Sequence, residues 1–255
     1  MTGEYLNGSS NPLEVDLSRY ETYIWPQIEP GQSIALIGPS SSGKTTFLLR
    51  LIQQFPRLSS LSLEKCRMVA IAMKEPQELY TDIFNLFPKS TKKIMETTVP
   101  QSWLSRDFWL SDDPSEWNLV ILDDQIEELS KKQSTCIDFL SGLSSIGSHH
   151  WRCVTATLVQ SAGERDTSAR LRSILRSTPL FFLFPGLSVT TLRWLAGFLA
   201  PGEAKFFVTI FQMLQRKKGE VILADQRLET PLQFRFLYGR VATDYDEFMI
   251  AFTPS

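Results

Sequence analysis

The chain has 255 residues, 26 basic and 28 acidic side chains, a formal net charge of −2, and 43% hydrophobic residues. This length and apolar content suit one large α/β domain or two small ones and exclude disorder, collagen and coiled coil as the main architecture. Residues 1–150 carry 13 basic and 19 acidic side chains and residues 151–255 carry 13 and 9, so a polyanion-facing surface is expected in the second half unless the asymmetry is incidental.

Residues 1–30, with Pro12, Pro26 and Pro30 among Gly, Asn, Ser and scattered aromatics, read as an N-terminal arm ahead of a domain over residues 31–255. From Ser33 the chain runs Ser-Ile-Ala-Leu-Ile, a Gly/Pro/Ser turn, then Thr-Thr-Phe-Leu-Leu-Arg-Leu-Ile with apolar residues at helical spacing. The pattern predicts strand, loop, helix. A strand is expected over Met68–Ala72 and a helix over Gln77–Phe87 after the Pro76 break, while residues 88–118 carry no readable periodicity. Asn118–Leu122 is a continuous apolar run ended by Asp123 and Asp124, followed by a helix over Ile126–Leu143 and a Gly/Ser-rich turn at 144–148. Cys153–Val159 predicts a strand, Thr167–Leu175 a helix, and Leu180–Phe184 a strand that stops at Pro185-Gly186. Helices are then expected at 188–199 and 203–215, a Lys/Gly turn at 216–219, and two strand-like runs at Glu220–Ala224 and Leu232–Tyr238. Strands that alternate with helices and are apolar on both faces imply a buried, mostly parallel sheet.

Cys66, Cys136 and Cys153 form no close pair and no metal-type spacing, and an odd count cannot close a complete disulfide set, so a reducing compartment is expected. No run of about 18 uncharged apolar residues occurs, and the N-terminus is polar and acidic, so the expectation is a soluble, intracellular protein without a membrane partner.

Gly38-Pro39-Ser40-Ser41-Ser42-Gly43-Lys44-Thr45 matches G-x-x-x-x-G-K-[ST] with a strand before it and a helix after it, the context that a phosphate-binding loop requires. Glycines let backbone N–H groups turn inward around a phosphate, and the helix that begins near Gly43 points its positive end at the same anion. Lys44 should neutralise the β- and γ-oxygens of a bound nucleotide, and the Thr45 hydroxyl should ligate Mg²⁺. A second carboxylate on the metal side fits Asp123, at the end of a neighbouring buried strand, with Asp124 as general base toward water.

Gln160 follows a strand and would emerge at the same sheet edge, where its amide either holds a water against the γ-phosphate or is merely solvated. Among Arg170, Arg172 and Arg176, one is a candidate arginine finger toward a neighbouring subunit's nucleotide; a solvated face reads equally well. Arg216-Lys217-Lys218 reads as an exposed turn rather than a DNA contact, His149 and His150 as turn residues, and Trp103, Trp109 and Trp117 as surface packing.

With these residues assembled, the chain resembles the viral DNA-packaging ATPases of the FtsK–HerA superfamily, the type found in poxviruses, other large DNA viruses, virophages and Polinton-like elements. The matching features span roughly residues 30–240. In order they are the loop Gly38–Thr45 followed by Thr46-Phe47-Leu48, the strand ending Leu122-Asp123-Asp124, His149-His150 before a strand that leads to Gln160, then Arg172, and the apolar strand Leu180–Phe184 with Pro185 after it.

The resemblance implies an α/β P-loop NTPase fold of RecA/FtsK-like type, with a mostly parallel central sheet flanked by helices and residues 31–255 as the ATPase domain. It implies a ring-forming homo-oligomer that hydrolyses ATP with Mg²⁺ and drives double-stranded DNA into a capsid through a portal vertex, in an infected cell. Phosphate contacts are implied for Gly43, Lys44 and Thr45, metal coordination for Asp123, γ-phosphate sensing for Gln160 and an inter-subunit role for Arg172. Two departures stand out. Asp124 replaces a Glu that the family commonly carries and is a methylene shorter, and Val159-Gln160 replaces a Thr-Gln pair. The same loop also suits a small-molecule or nucleotide kinase, or an assembly switch that binds ATP with little turnover.

Overall fold

The computed structural model describes residues 28–227 apart from 54, 59–60, 126–127, 129–130, 132–133, 144–147, 161–168, 200–201, 203, 206 and 210–219, together with 20–21, 236–240 and 253–254. In chain order the strands are β1 (Tyr20–Glu21), β2 (Ser33–Ile37), β3 (Cys66–Met73), β4 (Lys92–Glu96), β5 (Trp117–Asp123), β6 (Cys153–Val159), β7 (Leu180–Leu183), β8 (Glu220–Asp225), β9 (Phe236–Arg240) and β10 (Thr253–Pro254). The helices that matter for the site are α1 (Lys44–Gln53), α2 (Glu78–Asn85), α3 (Thr135–Gly142), α4 (Ala169–Arg176) and α5 (Val189–Leu199).

Eight strands form one sheet in the order β4-β3-β5-β6-β2-β7-β8-β9, and β1 pairs antiparallel with β10 in a separate ribbon. The six strands from β4 to β7 run parallel, while β8 runs antiparallel to both its neighbours, β7 and β9. The parallel strands are apolar on both faces, and their alternation sorts the core into two layers. Leu36, Ile71, Ile121, Ala156 and Phe182 face α1 and α2. Ala35, Ala70, Val120, Leu183 and Phe181 face α3, α4 and α5. Phe47 of α1 packs on Phe182 (centroids 4.9 Å apart) and edge-on against Phe184 (5.4 Å). Such aromatic pairs are worth about 1 kcal/mol each beyond area burial and seat α1 across β2 and β7.

The expected strands occur with bounds shifted by up to a few residues, and so do the helices, except that the helix expected over Ile126–Leu143 is broken: Lys131 forms a bend, Ser134 is an extended N-cap, and α3 starts only at Thr135. Three further readings change. The region 88–118 holds edge strand β4, the 3₁₀ turn Gln101–Leu104 and the helical turn Arg106–Trp109. Trp103, Trp109 and Trp117 are not surface packing but each 1% exposed, because Phe108 and Phe139 close over the first two and Phe55 and Phe87 over the third. His149 and His150 sit in the helical turn Ser148–Trp151. Most of the arm at 1–30, the turn at 216–219 with Arg216-Lys217-Lys218, and the start of the run at Leu232 lie outside the described residues, and of the helix expected over 203–215 the described residues 204–205 and 207–209 are helical. No helix among the described residues is long and apolar enough to cross a membrane.

Candidate functional site

Parallel pairing brings three strand ends to one edge. The register sets Asp123 of β5 beside Leu158 of β6, and Ile37 of β2 beside Val159, so Gly38, Gln160 and Asp124 leave the sheet together. The loop after β2 is drawn tight: Gly38 N donates to Val159 O (3.0 Å), and Phe47 N donates to Gly43 O (2.8 Å), starting α1 at the last loop glycine. A Cβ on Gly38 would lie 2.5 Å from Phe184 Cβ and 2.8 Å from Ser42 Oγ, so glycine is required there by space alone. Gly43 (φ 93°) and Ser41 (φ 59°) adopt the left-handed conformation that folds the loop back.

These elements enclose an open cleft of 340 Å³ lined by Ser40, Ser41, Ser42, Gly43, Lys44, Thr45, Thr46, Gln77, Leu79, Asp123, Asp124 and Gln160. The N-terminus of α1 thus opens into it with its unpaired amides and positive dipole end. Gly38 is buried at the loop's base, and Pro39 lends its carbonyl: Lys44 Nζ donates to Gly38 O (2.7 Å) and Pro39 O (2.8 Å).

Charge in this cleft is buried. Lys44 is 8% and Asp123 7% exposed. Burial pushes the Lys44 ammonium below its ordinary pKa, with the Asp123 and Asp124 carboxylates pulling it back up. Burial likewise pushes the Asp123 carboxyl above the ordinary carboxylate range, against the Tyr80 hydrogen bond and the Lys44 charge. Thr45 Oγ1 donates to Asp123 Oδ2 at 3.5 Å, and the Tyr80 hydroxyl donates to the same oxygen. Burial and the adjacent Asp123 charge raise the Tyr80 phenol's pKa, so it stays protonated and donates. Asp124 holds a left-handed backbone (φ 51°), and its Oδ1 accepts from Gln160 Nε2 at 2.8 Å. The donor set suits Mg-ATP: a helix N-terminus and an ammonium face a polyanion, and two hard oxygens, Thr45 Oγ1 and Asp123 Oδ2, converge as a divalent cation requires. Ser42 Oγ, buried in the loop with no hydrogen-bond partner, adds a polar group that a phosphate would satisfy.

Of the expected site residues, Ser40 to Thr46, Asp123, Asp124 and Gln160 are brought together. Arg172 is not: it is half-buried on α4 and does not line the cleft, while its neighbour Arg170 pairs with Asp138 (2.6 Å). Sequence reasoning missed Tyr80, the cleft-lining Gln77 and Leu79, and Gln125, 3% exposed, whose amide donates to Thr97 O (3.0 Å) and ties the end of β5 to the loop after β4. Within an amphipathic helix Tyr80 reads as core, and nothing in its spacing separates it from Ile83.

No protein-family model and no curated protein sequence matches the chain. Solved structures do. The genome packaging NTPase B204 from Sulfolobus turreted icosahedral virus 2 in complex with AMP superposes with TM-score 0.53 at 13% identity, covering 82% of this chain and 98% of its own. The same NTPase in complex with ATP-gammaS gives 0.51, also at 13% identity, over 80% of this chain and 95% of its own. The cytoplasmic domain of the Thermomonospora curvata type VII secretion ATPase EccC gives 0.56 at 13% identity, over 94% of this chain but 32% of that longer one. The chain therefore has the α/β P-loop NTPase fold that the viral packaging NTPase and the type VII secretion ATPase share.

Proposed function

We propose that this chain is an Mg²⁺-dependent ATPase of the FtsK–HerA type that works as a homo-oligomeric ring to move double-stranded DNA, for packaging of a viral genome into a capsid. The observation that carries the reading is the meeting, in one cleft, of the α1 N-terminus with Lys44 and of Thr45 with Asp123 at 3.5 Å, from segments 78 residues apart. The likeness to a genome packaging NTPase over 98% of that chain supports the packaging assignment.

In this reading the loop amides and Lys44 bind the β- and γ-phosphates, with Thr45 and Asp123 holding the cation. Bound Mg²⁺ supplies charge neutralisation at the phosphate oxygens. Asp124 accepts the proton of the attacking water, whose oxygen bonds to the γ-phosphorus as the bond to the bridging oxygen breaks, leaving ADP and phosphate. Gln160, joined to Asp124 by a 2.8 Å hydrogen bond, orients that carboxylate and senses the γ-phosphate. Arg172 acts from a neighbouring subunit, in keeping with its position away from its own cleft.

The test is the ATPase rate with and without duplex DNA, together with native mass. The proposal predicts an oligomer whose turnover is stimulated by DNA, with stimulation fading as salt rises because phosphate contacts release counterions. A monomer whose turnover ignores DNA would point instead to a kinase, and an assembled ring that binds ATP with negligible hydrolysis to an assembly switch.

A further inference from the structure

Resting on the nucleotide reading above, we propose that Tyr80 is a positioning residue for the divalent cation: its hydroxyl orients the Asp123 carboxylate beside Thr45, so cation affinity depends on helix α2. Tyr80 is fully buried on α2, with Ile83 as its buried companion, and its ring belongs to the same core layer as Ile71 and Ile121. A phenylalanine would fill that space equally well, so packing accounts for the ring and not for the oxygen.

The oxygen is directed at the cation side of the cleft. It donates to Asp123 Oδ2, the atom that also accepts from Thr45 Oγ1 at 3.5 Å. A carboxylate this buried needs donors to keep one rotamer, and Tyr80 supplies one from a helix, across from the strand that carries the carboxylate. Hydrogen-bond partners one layer behind a metal ligand fix its orientation, and their loss typically costs about 10–100-fold in metal affinity.

The same helix also reaches the cleft directly. Gln77, just before α2, and Leu79, one residue before Tyr80, both line the cleft wall. The wall and the tyrosine that steadies the cation-side carboxylate therefore belong to one rigid piece, and cation binding is coupled to where that piece sits.

The experiment compares wild type, Tyr80→Phe and Lys44→Ala, each saturated with ADP where it binds, and titrates Mn²⁺ as the probe while free Mn²⁺ is followed by paramagnetic resonance. Tyr80→Phe is expected to weaken Mn²⁺ binding about tenfold or more. Its metal-free ADP affinity should stay within about twofold of wild type, and its thermal unfolding should remain cooperative, with Tm lowered by the loss of one buried hydrogen bond. Mn²⁺ affinity in Tyr80→Phe equal to wild type, with ADP bound by wild type and weakened in Lys44→Ala, overturns the role of Tyr80 alone. A wild type that binds no ADP overturns the nucleotide reading and this inference with it. Should Tyr80→Phe fail to fold, Tyr80→Met, apolar and adaptable in shape, replaces it in the same titration: weakened Mn²⁺ binding supports the role of Tyr80, and binding equal to wild type overturns it.

Discussion

The two ends of the parallel strands handle buried polarity in opposite ways. At the carboxyl edge, Lys44 and Asp123 are charged, almost fully buried, and line an open cleft. At the amino edge, Asn118 is equally buried, but it is neutral, and its amide donates to Trp109 O and Trp151 O at 2.9 Å each. Both edges also carry a non-glycine residue in the left-handed region: Asp124 at one, Arg152 (φ 49°) at the other, with Arg152 Nε donating to Glu116 O at 2.7 Å. Backbone strain and buried polar groups therefore do not by themselves mark a site. What distinguishes the carboxyl edge is a buried basic and a buried acidic side chain facing a cavity open to an ionic ligand.

Substitutions at the two edges should separate along the same line. Gly38→Ala forces a Cβ to 2.5 Å from Phe184 Cβ, both of them in the packed base of the loop, and is expected to cost about 3 kcal/mol in urea unfolding while abolishing nucleotide binding. Asn118→Ala is expected to cost about 2 kcal/mol by removing both of its amide hydrogen bonds and leaving Trp151 O with only the Cys153 thiol as donor among the described residues, with turnover per folded molecule unchanged. A fall in turnover there at full folding would break the contrast between the edges.

The smallest effect should come from Asp113, in the solvated loop ahead of β5. Hydrogen bonds from the Ser115 hydroxyl and backbone, then Lys65, hold its carboxyl down at about 2. A pKa depressed by folding gives stability that is present above about pH 4, the ordinary carboxylate value, and is lost as pH falls toward 2. The melting-temperature gap between wild type and Asp113→Asn should accordingly be small at pH 5 and close as pH falls to 2, and a gap that widens on acidification would contradict the assignment.

Much of this molecule is legible in the sequence because its strands are buried on both sides. Continuous apolar runs such as Leu119–Leu122 and Leu180–Leu183 announce themselves, and the loop Gly38–Thr45 has a spacing dictated by its backbone path. The register that carries Asp123 to Thr45 follows from parallel pairing, which the alternation of strands and helices implies. Strand β4 was hidden because Lys92–Glu96 lies at the exposed sheet edge, where neither face demands apolar residues. The antiparallel pairing of β8 with β7 and β9 leaves no trace in their composition, and the Trp103 and Trp109 core depends on Phe139 of α3, some 30 residues on, a contact that only the fold creates. Tyr80 was hidden for the same reason: its hydroxyl acquires a purpose only when Asp123, 43 residues away, arrives beside it.

The most direct test of a charged, cation-assisted triphosphate site is the thermal shift on adding Mg-ATP to wild type and to Lys44→Ala. A ligand at about 100 times its Kd stabilises the folded state by about 2.7 kcal/mol, a clear rise in Tm. The account predicts that rise in wild type, its loss in Lys44→Ala when measured against that variant's own unliganded Tm, and its reduction when the cation is chelated. An equal rise in both proteins, or none in wild type, would contradict it.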